Sequence, residues 1–270
     1  MKNNNIKECF VAFVDILGFS AMVQNDQGTG KNLAIIKEAI STATKQLKQR
    51  QADLGHPYHF WYDEFKVKSF SDCFCFSIPL EFENGEKDYK QNFVAFYVWL
   101  KVFYNQMLKS GFVCRGGINQ GWHYVDDDLI FSKALIDAYL LESKQATHPI
   151  IMIHPELIDE LIKRGFSHER YFPYMFSHDN SGKSFFNPFN YSIVDEIFYW
   201  GYHEEKIEKF IKERAELIDM FSIIIENRIA DLKGKGAVDK WQWLKEYALF
   251  TEGKGYEDKF FNGLYGIATT

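Results

Sequence analysis

The sequence predicts an α+β sandwich, and three observations carry that reading. Short runs of apolar, β-branched and aromatic residues alternate with stretches whose apolar residues recur every three or four positions, over the first 155 residues. The runs have the length of strands, and the periodic stretches have the length of helices that cover a sheet. Hydrophobic residues make up 46% of the 270-residue chain, enough to build a sizeable core.

Taken in order, Val11-Ala12-Phe13-Val14 is apolar throughout and reads as a strand buried on both faces, ending at Asp15. Gly18 then allows a sharp turn. A carboxylate at such a strand end can hold a hard divalent cation, or it can cap a helix starting near Phe19. Residues 31–50 carry Leu33, Ile36, Ile40, Ala43 and Leu47 on a helical period, after the Gly28-Thr29-Gly30 break. Residues 59–82 are aromatic and β-branched around Ser71-Asp72, which predicts two strands in a hairpin with Asp72 at the tip. A second covering helix is expected over 92–108, a strand over 112–122 containing Arg115-Gly116-Gly117-Ile118, and a polar turn at Asp126-Asp127-Asp128. A helix over 131–144, a strand over 149–154 and a short helix opened by Pro155 follow.

This order is that of a ferredoxin-like sandwich with its helices on one face. The other face would be left bare, and a partner subunit is expected to cover it. Residues 1–164 form this domain in our reading. Residues 165–270 form an aromatic loop region and a helical C-terminal appendage packed on it, with helices over 203–232 and 238–250.

A net charge of −6 gives no reason to expect nucleic acid or an anionic membrane as a partner. Cys9, Cys73, Cys75 and Cys114 lie in apolar runs, where free cysteine behaves as a small hydrophobe, and they lack the paired spacing of a zinc site. With no signal-peptide core and no apolar run near the ~18 residues of a membrane span, a cytoplasmic protein is expected.

Asp15 and Asp72 both stand at strand ends that a ferredoxin-like sheet makes neighbours, so the two carboxylates could share a pair of metal ions. At these residues the chain resembles the class III nucleotidyl cyclases. Asp15-Ile16-Leu17-Gly18-Phe19-Ser20 is similar to the family's Asp-Ile-x-Gly-Phe-Thr/Ser opening, and Phe70-Ser71-Asp72 to its Gly-Asp hairpin tip with Ser for Gly. Arg115-Gly116-Gly117-Ile118-Asn119-Gln120-Gly121 is similar to the Arg-x-Gly-Ile-x-x-Gly strand, and residues 130–142 to the helix ending in Ala-x-x-Leu-Glu. The closest branch is the bacterial pyrimidine cyclases of the Pycsar anti-phage systems, on the Ala138-Tyr139-Leu140-Leu141-Glu142 ending and Trp243-Leu244-Lys245-Glu246-Tyr247 in the tail.

The resemblance implies that Asp15, Asp72 and the carbonyl of Ile16 hold two Mn2+ or Mg2+ ions. It implies that amides around Phe19 receive phosphate oxygens, that Arg115 grips the triphosphate, and that Lys68 reads the base. It also implies a homodimer with active sites at the interface. Ile136 and Leu140 stand where purine cyclases carry a transition-state Asn and Arg, and Leu129 stands where adenylyl cyclases have an acceptor for adenine, with Asp128 adjacent. Lys133 is a candidate aid to transition-state stabilisation. Phe60, Trp61, Tyr62 and Phe70 could fill the space of a purine or be ordinary strand core. The leading expectation is a cyclase making a 3′,5′-cyclic pyrimidine nucleotide from UTP or CTP, uracil being favoured for its two carbonyls, as a second messenger in anti-phage defence. The alternatives are a purine cyclase, or a degenerate cyclase-like module that binds nucleotide or only dimerises.

Overall fold

The computed structural model describes residues 6–53, 65–80, 89–166, 175–189, 204–232, 237–252, 254–255 and 258–262. In chain order the elements are β1 (Lys7–Ile16), α1 (Phe19–Asp26), α2 (Lys31–Asp53), β2 (Lys66–Phe70), β3 (Cys73–Pro79), α3 (Tyr89–Lys109), β4 (Cys114–Val125), β5 (Ile130–Ser132) and α4 (Lys133–Gln145). After these come β6 (Ile151–Ile153), α5 (Pro155–Lys163), β7 (Phe176–Asp179), β8 (Ser184–Phe186), α6 (Glu204–Asp231), α7 (Val238–Thr251) and β9 (Phe260–Asn262).

The strands form one sheet in the order β2-β3-β1-β4-β6-β8-β7-β9, with β5 on β4. The first four strands pair antiparallel throughout, with β1 between β3 and β4. That is the ferredoxin-like arrangement the element order predicted. β4 and β6 pair parallel, and β8, β7 and β9 extend the sheet antiparallel from β6.

Alternation along β1 explains how it can be buried on both faces. Phe10 meets Tyr89, Phe93 and Phe96 of α3, with ring centroids 4.8, 5.1 and 6.0 Å away. Ala12, Val14 and Ile16 belong to the same core, together with Ile36, Ala39 and Ala43 of α2. The alternate residues Cys9 and Val11 join Cys75 and Ala134 in a second, smaller cluster.

That second cluster corrects one expectation. The far face of the sheet is not bare, because α4 lies across β1 and β4. Gly117 makes the approach possible, since a Cβ there would stand 2.1 Å from the Ala138 carbonyl oxygen. The predicted helix over 131–144 is also shifted. Phe131 lies in β5, and α4 begins after Ser132, whose hydroxyl accepts from the Leu135 amide at 3.0 Å as an N-cap.

Of the predicted hairpin, the strands Lys66–Phe70 and Cys73–Pro79 are present, while residues 59–64, including Phe60, Trp61 and Tyr62, lie outside the described residues. Ser71, at the tip, has φ +57, the left-handed conformation that glycine adopts most readily. Beyond residue 165 the chain contributes β7, β8 and β9 to the same sheet, and Trp243 and Tyr247 of α7 pack on Phe185 and Phe260. Among the described residues no helix is long and apolar enough to cross a membrane.

Candidate active site

Cross-strand register places the site. Asp15 pairs with Cys73 on one side and Arg115 on the other, so all three side chains leave the sheet on the face that α4 half covers. Two pairs away, Phe13, Cys75 and Lys68 continue the same face. Backbone bonds fix the strand ends that carry the two carboxylates: the Ile16 amide donates to the Asp72 carbonyl at 3.1 Å, and the Leu17 amide to the Val113 carbonyl at 3.0 Å. Asp72 is thereby held beside the end of β1.

Ligand atoms of Asp15, Asp72 and Cys73 lie within 4.8 Å of one another. The Cys73 thiol points at Asp15 Oδ1, 3.7 Å away, so this cysteine belongs to the acidic group and not to the apolar filling expected of it. Burial first, then the Asp72 charge and the Glu142 charge, push the Asp15 carboxyl up to about 6, against the pull of Arg115. The Cys73 thiol is pushed up to about 12 by burial and the two aspartates, and it stays protonated near neutrality. Two close carboxylates with too little positive charge around them, backed by rigid strands, fit a hard divalent cation.

Asp15 is not the cap of α1. Gly18 takes that position, at φ +87, and no side chain caps the helix. The first bond of α1 runs from the Met22 amide to the Gly18 carbonyl, which leaves the amides of Phe19, Ser20 and Ala21 at a helix N-terminus next to the acidic pair.

Arg115 is engaged on its inner side. Its Nη2 is ion-paired with Glu142 of α4 and stands 4.0 Å from Asp15 Oδ2, while its Nη1 donates to the Ala146 carbonyl at 3.3 Å. Lys68 reaches Asp127 Oδ1 at 3.1 Å, across from β2 to the β4–β5 turn. Lys133 is paired with Asp137, 2.6 Å away, and Asp137 also accepts from Asn119.

Ile136, Tyr139 and Leu140 are exposed on α4 and Phe70 at the end of β2, and both Tyr139 and Phe70 touch Phe13. Leu129 is exposed as well.

Of the residues the sequence singled out, Asp15, Asp72 and Arg115 come together at one end of the sheet, with Lys68 farther along the same face. The contacts that Cys73, Asp127 and Glu142 make with them were not anticipated. Alternation could have found the first, since Cys73 is the residue opposite Asp15. The Arg115–Glu142 pair depends on α4 crossing the sheet, and no local pattern announces that.

No protein-family model matches this chain, and no curated protein matches it. Among solved structures it is similar to the adenylyl cyclase CyaB from P. aeruginosa, at 16% identity over 67% of this chain and 92% of that one, with a TM-score of 0.40. It is also similar to the guanylyl cyclase domain of the RhoGC fusion protein from the aquatic fungus Blastocladiella emersonii, at 10% identity over 66% and 93%, with a TM-score of 0.41. A third likeness is to the catalytic core of a rhodopsin-guanylyl cyclase with converted specificity, in complex with ATPalphaS, at 15% identity over 67% and 96%, with a TM-score of 0.43. Likenesses this distant bring no chemistry to the chain.

Proposed function

We propose that the chain is a nucleotidyl cyclase that converts a pyrimidine nucleoside triphosphate, UTP before CTP, to the 3′,5′-cyclic monophosphate and pyrophosphate. The observation that carries the reading is the pinning of Asp15 and Asp72 side by side at one end of the sheet, with Arg115 on the next strand and free helix amides alongside. Asp15, Asp72 and the Ile16 carbonyl are the groups we assign to hold two Mn2+ or Mg2+ ions. Bound there, such ions lower the pKa of a hydroxyl and neutralise phosphate charge.

The chain's own residues do the positioning. The amides of Phe19, Ser20 and Ala21 donate to phosphate oxygens, and Arg115 sets a fixed positive charge against the β- and γ-phosphates. So held, the ribose 3′-hydroxyl attacks the α-phosphorus in line and pyrophosphate leaves.

Lys68 and Asp127 supply a donor and an acceptor side by side. Uracil offers the matching edge, a carbonyl next to the N3–H, whereas adenine has no carbonyl. Guanine presents the same pair at O6 and N1–H, which makes a guanylate cyclase the second reading.

Phe70, Ile136, Tyr139 and Leu140 expose apolar surface on the face that carries the site, which supports a homodimer closing over it. In such a dimer Lys68 and Asp127 of one copy read the base of a nucleotide whose phosphates lie on the other. The motifs shared with the Pycsar cyclases support a product used in anti-phage signalling, and the four free cysteines support a cytoplasmic setting.

Incubation with each of the four nucleoside triphosphates and Mn2+, followed by mass spectrometry, tests all of this. Cyclic UMP as the main product is the expected result. Cyclic GMP as the main product would establish the second reading, and nucleotide binding without any cyclic product would leave only a degenerate binding module.

A further inference from the structure

Glu142 has no part in the chemistry above, yet its side chain is only 5% exposed and it lies at the C-terminal end of α4. A buried carboxylate there faces both desolvation and the negative end of the helix, so something must hold it. Arg115 does, and the same guanidinium donates to the carbonyl of Ala146, the C-cap residue of α4.

The atom that pairs with Glu142, Nη2, is also the one that stands 4.0 Å from Asp15 Oδ2. Two carboxylates therefore compete for one guanidinium nitrogen, and the buried one holds it. If Glu142 were neutral, Asp15 would be the nearest charged acceptor left. A full ion pair there would cover an oxygen that we assign to a cation.

We propose that Glu142 is a positioning residue: it keeps Arg115 off Asp15, so that Asp15 stays open to a divalent cation while the guanidinium remains beside the site. This rests on the cation reading of Asp15 and Asp72. Partners of this kind, one step removed from a metal ligand, typically change metal affinity ~10- to 100-fold when mutated.

The test is a double-mutant cycle read by Mn2+-dependent thermal stabilisation of the purified protein without nucleotide, over a MnCl2 titration. Glu142→Gln is expected to weaken Mn2+ ~10-fold when Arg115 is present, within the range for such partners, and to have little effect in an Arg115→Gln background. Simple loss of one negative charge would weaken Mn2+ by the same factor in both backgrounds, and that result overturns the proposal, as does no loss in either. Glu142→Asp keeps the charge on a shorter arm and is expected to fall between wild type and Glu142→Gln, which covers the case of a poorly folding Gln variant. A wild-type Mn2+ response that survives Asp15→Asn and Asp72→Asn would instead remove the cation reading, and this proposal with it.

Discussion

The two faces of the same strands make an instructive pair. On the α3 side, Phe10, Phe74 and Phe76 meet Phe93, Phe96 and Phe103 in an aromatic core. Out of phase with these, β1 and β3 carry Asp15 and Cys73 on the α4 side, flanked by Lys68 of β2 and Arg115 of β4. Because side chains alternate, a single sheet can spend one face on stability and leave the other for charge. The division is not complete along the strands: toward the far end of the α4 face, Cys9, Val11, Cys75 and Ala134 are apolar again.

The sharpest break between the faces is expected from Asp15→Asn. Turnover should fall by ~1,000-fold or more, on the scale of losing a key electrostatic group. Thermal stability in metal-free buffer should hold or rise, because one of two repelling carboxylates is gone. Product formation and melting temperature measured on one preparation separate the two effects.

Phe76→Ala should do the reverse. It removes a fully buried ring packed on Phe74 and Phe103, at a cost of ~3–5 kcal/mol read from urea midpoints, with the site residues untouched.

His123 sharpens the comparison, since it points to the α4 face yet is buried, and burial lowers its pKa from 6.5 to about 4. Its neutral form is favoured by folding. The stability this residue contributes is therefore complete above pH ~6.5 and is lost as pH falls from there toward 4, by ~2–3 kcal/mol. Urea midpoints between pH 7.5 and 4 should show the loss, and His123→Leu should flatten it.

The smallest effect belongs to Ser71. A non-glycine residue in the left-handed region costs ~1 kcal/mol, so Ser71→Gly should raise stability by up to that amount in thermal melts.

Much of this was legible in the sequence because it is periodic or local. The strand ending at Asp15, the hairpin tip at Asp72 and the covering helices all follow from apolar spacing. The placement of α4 was not legible, because it turns on the missing Cβ of Gly117, and a glycine before Ile118 could equally have marked a bulge. From that placement come the Arg115–Glu142 pair and the half-covered face, which explains why those were missed together. Lys68 and Asp127 meet only once folding brings β2 and the β4–β5 turn together.

The two backbone bonds at the end of β1 have a further consequence. The main chains that carry Asp15 and Asp72 cannot drift apart, because Ile16 is tied to Asp72 and Leu17 to Val113 by backbone hydrogen bonds. A cation bound between the two carboxylates, as proposed above, would require no rearrangement of the main chain.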